Sequence, residues 1–232
     1  MTSKIYSRSI LYAVSLAFVL AAILGAPALA ADHPNISGFW EPRAGSAHRP
    51  VRPQFTQAAL AEMKKPNKSN NPEGVDEADA NCLPIGQPWT LWQSAPIDIA
   101  QDARETTMIY ESRSLPFHIY TDGRAHTQGK LTLNGDSIGR WDGDAFVVDT
   151  IGFGSLSGHG ALQSLPNNET THIIATYTLA NNGQELHAHF RIEDAKWLTQ
   201  PYEFDFVWFK DAPDEYAQPD VCDARDSSNT LH

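Results

Sequence analysis

Cysteine is almost missing from this chain: Cys82 and Cys222 are the only two among 232 residues. That excludes a disulfide-dense mini-domain, a C-x-x-C redox motif and a haem-attachment pair. Basic charge is also scarce, with 17 Lys and Arg against 28 Asp and Glu and a formal charge of −11. Such a surface repels phosphate backbones and anionic headgroups, so nucleic acid is not an expected partner. Beyond residue 30 no apolar run approaches the ~20 residues that a bilayer span needs. No glycine-rich phosphate loop and no alternation of strand with long helix appears, which excludes a dinucleotide-binding sheet. No internal repeat appears, and no cofactor is expected.

What is present begins at the N-terminus. Lys4 and Arg8 form a positive region without acids, Ile10 to Leu24 is apolar, and Pro27 precedes Ala28-Leu29-Ala30. This is the layout of a secretory signal cleaved after Ala30. Its removal takes two positive charges, from −11 to −13. The expected home is the periplasm or the exterior, with no stable membrane anchor after cleavage. In that oxidising setting Cys82 and Cys222 are expected to form one disulfide. It would close a loop worth ~4–5 kcal/mol in the chain-entropy model.

The remainder reads as one domain with an N-terminal arm: residues 31–80 as an irregular arm with a short helix, and 81–232 as a β-barrel. Within the arm, residues 36–40 can form a short strand. Thr56 is a candidate N-cap for a helix over 56–65, stopped by Pro66. Strands are expected over 97–100, 106–111, 117–121, 137–141, 145–150, 171–179, 185–193 and 202–209. Asp142-Gly143 and Asn182-Gly183 mark hairpins. Over 202–209, Tyr202, Phe204, Phe206 and Trp208 share one face, while Glu203 and Asp205 share the other. Short strands with tight turns argue an all-β fold, a single antiparallel barrel of the lipocalin or calycin type. Such barrels enclose one small ligand.

Three constellations can carry chemistry. Tyr120, Asp122, Arg124 and His126 lie within seven residues at the end of a strand. They can share a proton-transfer task, with Tyr120 or His126 as donor or acceptor, Asp122 orienting the imidazole and Arg124 holding an oxyanion. The plainer alternative is a turn at Asp122-Gly123, with Asp122 paired to Arg124. His187 and His189 share one face of a strand and can supply two metal ligands, with His172 as a third. The alternative is two solvated histidines. Glycines after Asp149 lead into a loop holding His159, which can belong to a site rim or be an ordinary loop residue.

Ile119 to His126, Asn134 to Asp144 and Val147 to Phe153 resemble a pattern I-Y-x-D-G-R-x-H, S-I-G-x-W-[DE]-G-D-x-L-V-V-D-T-x-G-F. It is found in a family of exported bacterial hypothetical proteins. Cys82 and Cys222 match that pattern, and the resemblance favours their pairing. It raises Tyr120, Asp122, Arg124, His126, Trp141, Asp144, Asp149 and His159 as site candidates and lowers His187 and His189. The family tends to Glu-Arg where this chain has Ala175-Thr176. Together these readings predict a periplasmic enzyme acting on a small hydrophobic or aromatic compound by acid–base chemistry: an isomerase, cyclase, lyase or hydratase. The catalytic candidates are Tyr120, Asp122 and His126, and the binding candidates Arg124, Trp141, Asp149 and His159. The alternatives are a non-catalytic carrier with the same small-molecule ligand and, more weakly, a metal-assisted enzyme. A monomer or small homo-oligomer is expected.

Overall fold

The computed structural model describes residues 33–48, 52–63, 84, 86–93, 95–111, 115–154 and 168–211. The expected signal peptide, the Cys82–Cys222 pair and His159 lie outside these residues. All described residues belong to one compact unit, His33–His232.

Nine strands form a closed wall in chain order: β1 (Gly38–His48), β2 (Ile97–Gln101), β3 (Glu105–Tyr110), β4 (Phe117–Tyr120), β5 (Asp136–Asp142), β6 (Ala145–Ile151), β7 (His172–Ala180), β8 (Glu185–Glu193) and β9 (Tyr202–Lys210). Among the described residues two short α-helices accompany them, α1 (Gln57–Met63) and α2 (Trp89–Trp92). Among the described residues no helix is long and apolar enough to cross a membrane.

The wall departs from the expected layout in three respects. It is not wholly antiparallel, because β4 and β5 run parallel, with Ile119 beside Ser137 and Tyr120 beside Ile138. A parallel neighbour needs a long crossover, which residues 121–135 supply. The segment expected as an arm contributes β1, which pairs with both β2 and β9 and so closes the barrel. The first hairpin turns at Gly143 and Asp144, with Asp142 still in the strand opposite Ala145. Only Gly143 of these adopts positive φ, +60°, so a glycine at the first turn position suffices. The second hairpin turns where expected: Asn181, Asn182 and Gly183 take φ of 49°, 54° and 77°.

Strand periodicity fixes what faces inward. On β8, Leu186, Ala188, Phe190 and Ile192 are buried, while His187, His189 and Arg191 point outward. The same alternation on β6, β7 and β9 sends Phe146, Tyr177, Phe204, Phe206 and Trp208 inside. Their rings are in contact: Phe190 stacks on Phe204 at 4.8 Å and meets Tyr177 edge-on at 5.9 Å. Gly139 makes room for this packing, since a Cβ there would lie 2.7 Å from the Phe146 ring and 2.8 Å from Ile119. Trp40 is fully buried, its Nε1 donates to the Ile36 carbonyl at 2.9 Å, and the Lys210 ammonium lies 5.0 Å from its ring. The lumen is therefore a core filled by side chains, and the expectation of a ligand enclosed within it is corrected.

Tyr110 and Tyr177 sit side by side in that core. Burial pushes both phenols well above their ordinary value of 10, and the neighbouring Tyr177 raises Tyr110 further. Below pH ~10 both residues keep their protons whether the chain is folded or not. Above it the unfolded chain releases them while the folded chain does not, so stability falls with rising pH. Absorbance at 295 nm, followed with circular dichroism, should show two tyrosines that ionise only as the sheet melts. Complete ionisation near pH 10 with the sheet intact would contradict this packing.

Candidate functional site

His126 lies in the crossover between β4 and β5, and its ring reaches two strands. Its Nδ1 is 3.1 Å from Asp136 Oδ2 on β5, and its Nε2 is 3.0 Å from Asp149 Oδ1 on β6. His172, the first residue of β7, places Nε2 3.1 Å from the same Asp149 oxygen. Its Nδ1 is 3.7 Å from Glu193 at the end of β8. Two imidazoles from distant parts of the chain thus converge on one carboxylate oxygen.

The strand register explains the convergence. Asp149 and His172 both point outward, on the face opposite the filled lumen. Asp136 opposes Ile151, Ile173 opposes Thr150, and His172 opposes Glu193, so all these groups gather at one end of the wall. The backbone N–H of Thr127 donates to Asp136 Oδ2 at 2.7 Å and holds that carboxylate against the ring. The cluster is graded in access. The side chains of His126 and Asp136 are 14% and 11% exposed, whereas His172 and Asp149 are 32% and 42% exposed.

Proton counting sets what this arrangement does. Each nitrogen of His126 faces a carboxylate oxygen. Both contacts are hydrogen bonds together only if the ring carries two protons or one carboxyl is protonated. Asp149 Oδ1 lies within hydrogen-bond distance of both rings, so a proton moved at one ring changes the contact at the other. Beyond His172 the chain of charge continues through Glu193 to Arg191, whose Nε donates at 2.6 Å, and on to Glu203. Those two carboxylates, Glu193 first, hold the guanidinium above its usual range.

The other candidate residues fall elsewhere. Asp122 accepts from Arg124 Nε at 2.8 Å and Nη2 at 2.6 Å, and Arg124 lies 3.8 Å from the centre of the Tyr120 ring. The paired Arg124 holds the Asp122 carboxyl well below its usual range. Asp122 is thus bonded to Arg124, and the carboxylates on the His126 ring are Asp136 and Asp149. Trp141 is about 17 Å along β5 from Asp136 at ~3.3 Å per residue, where it stacks on His33 at 5.1 Å. Asp144 lies in the turn beyond that end of β5. His187 and His189 pair with Glu185 and Asp205, each at 2.8 Å. His172 is four residues beyond the partner of His189 on β7, about 13 Å away, so these three histidines do not gather. Among the described residues no group of three or more His, Cys, Asp and Glu is arranged to hold a metal ion. Ala175 faces the lumen and Thr176 the exterior.

Sequence reasoning missed Asp136, Glu193 and Asp194. Asp136 stood within the quoted motif, and Asp194 carried an Asp-x-x turn signal. Asp194 is 3% exposed and accepts from Asn168 Nδ2, Thr170 Oγ1, Thr171 Oγ1 and the backbone N–H groups of Lys196 and Trp197. It binds the segment entering β7 to the segment leaving β8, and so sets His172 relative to Glu193. No family model and no curated protein matches the chain.

Replacing Asp194 with Ala strands these donors. It should lower unfolding free energy by roughly 3 kcal/mol, measured by urea denaturation. A loss below about 1 kcal/mol would show that the hub does not hold the two segments.

Proposed function

We propose that this chain is an exported enzyme that moves protons on a small hydrophobic or aromatic compound, in an isomerase, cyclase, lyase or hydratase reaction. The observation that carries the reading is the shared oxygen of Asp149, on which the His126 and His172 rings both close. His187 and His189, on the same outer face, each pair with one carboxylate. Two imidazoles on one carboxylate, with a second acid behind one of them, can take a proton at one point and return it at another.

In this reading Asp149 and His172 face the substrate, because they are the accessible members. One abstracts a proton and the other delivers it. His126, backed by Asp136, accommodates the change of charge behind them. Tyr120, Asp122 and Arg124 brace the crossover that carries His126. The lipocalin or calycin relation belongs to the same proposal, supported by nine strands in chain order around a closed wall. So do the periplasmic location after cleavage at Ala30, the Cys82–Cys222 disulfide, a monomeric or small homo-oligomeric state and membership of the exported bacterial family.

The test uses the mature protein in D2O with a small-molecule extract of its host's envelope, read by mass spectrometry. A component that gains deuterium or changes structure is expected, with a rate at least about 100-fold lower in Asp149→Asn and His172→Asn. Circular dichroism checks that both variants fold. A component that binds without exchange or turnover would identify a carrier and contradict the proposal.

A further inference from the structure

Cleavage after Ala30 leaves a chain that starts Ala31-Asp32-His33-Pro34. Its first three residues offer nitrogens in unbroken succession: the free amine of Ala31, the main-chain nitrogens of Asp32 and His33, and the imidazole of His33. Ala31 and Asp32 lie outside the described residues. What they supply is the amine and a main-chain N–H, which every residue but proline carries. The arrangement is set by covalent spacing along the chain, not by where the residues before His33 lie.

Counting bonds shows what that spacing permits. A cation on the amine and the Asp32 nitrogen closes a five-membered ring, and the His33 main-chain nitrogen closes a second. Nδ1 of His33 then closes a six-membered ring with its own main-chain nitrogen. The three fused rings fill the corners of a square. One more residue before the histidine would place an extra nitrogen ahead of the imidazole, one too many for that square. Pro34 has no N–H, so the chelate cannot run forward from His33. Tetragonal nitrogen sites suit Cu(II) and Ni(II), and Cu(II) heads the affinity order of divalent metals. Zn(II) has no such geometric preference. Binding releases the two amide protons and the extra proton of the charged amine, and no electron moves.

The structure holds the imidazole ready. His33 is exposed, and no hydrogen bond or ion pair to another described residue takes either ring nitrogen. Its ring lies almost parallel to the Trp141 indole, with 7° between the planes and 5.1 Å between the centres. Stacking occupies a ring face and leaves the nitrogens at the edge. The chain just beyond is fixed to the barrel. Buried Ile36 donates its N–H to Gln101 Oε1 of β2 at 3.0 Å, and its carbonyl accepts from Trp40 Nε1. Ser37 N–H donates to Asn35 Oδ1 at 2.9 Å.

We infer that the exported chain binds one copper(II) ion at its mature N-terminus. The ligands are the amine of Ala31, the main-chain nitrogens of Asp32 and His33, and Nδ1 of His33. The site rests on the proposed cleavage after Ala30, because the uncleaved chain has no free amine at Ala31. It is independent of the proton-transfer cluster.

The test uses the mature protein from its host's envelope, with its first residue read by intact mass. A chain starting at Ala31 is expected. Copper(II) sulfate should then bind at one equivalent and quench tryptophan emission. Its visible band and electron paramagnetic resonance spectrum should be those of four nitrogens in a plane, and excess zinc(II) should not displace it. His33→Gln should lose both the spectrum and the quenching. A glycine inserted between Ala31 and Asp32 keeps every side chain and should lose the spectrum at neutral pH. Trp141→Phe should keep the spectrum and lose most of the quenching. A chain that starts at another residue overturns the cleavage reading and the site together. A chain that starts at Ala31 but lacks the spectrum, or shows it equally after the glycine insertion, overturns the site alone. Undiminished quenching in Trp141→Phe overturns the placement of the metal beside that indole.

Discussion

Closing nine strands into a ring removes sheet edges and leaves each residue one of two destinations. β1 makes the closure, pairing Gly38 to Trp40 with β2 and Trp40 to His48 with β9. Trp40 sits at the seam, buried inside, with Lys210 of β9 over its ring. Once the ring is closed and its interior is taken largely by aromatic side chains, the inward faces of the nine strands carry no charged side chain among the described residues. Acid and base groups are confined to the outer face and the strand ends.

The position of the cluster follows from that constraint. Asp149 points outward because Val148 and Thr150 point inward. His172 precedes Ile173, which is inside, so it too points out. β6 and β7 are neighbours, and their register sets the two side chains side by side. The crossover forced by the parallel β4–β5 pair then brings His126 over Asp149 from a third direction. Each contact is an ordinary consequence of strand parity. Their convergence on one oxygen depends on register and crossover together.

Much of this fold could be read from residue patterns. The alternation of Tyr202, Phe204, Phe206 and Trp208 gave β9 its buried face, and Asn182-Gly183 marked the β7–β8 hairpin. The parallel pairing of β4 with β5 was not legible, because 121–135 carries no helix or strand signal and pairing across it is a tertiary choice. The cluster was legible in its members but not in its partners. His126 and Asp149 stood out by motif, yet the nearest acid in sequence, Asp122, is taken by an arginine two residues away. The acids that reach His126 come from ten and 23 residues downstream. His172 was grouped with His187 and His189 because they share a hairpin, whereas the register places them at different heights. Filling of the lumen was likewise hidden: alternation says which side chains turn inward, not whether they occupy all the space there.

The central claim is that Asp149 joins two imidazoles, and nitrogen-15 NMR of the histidine rings tests it directly. In Asp149→Asn, the ring signals of both His126 and His172 should shift together, while those of His187 and His189, on their own carboxylates, should stay in place. A shift of only one ring, or of neither, would contradict the account.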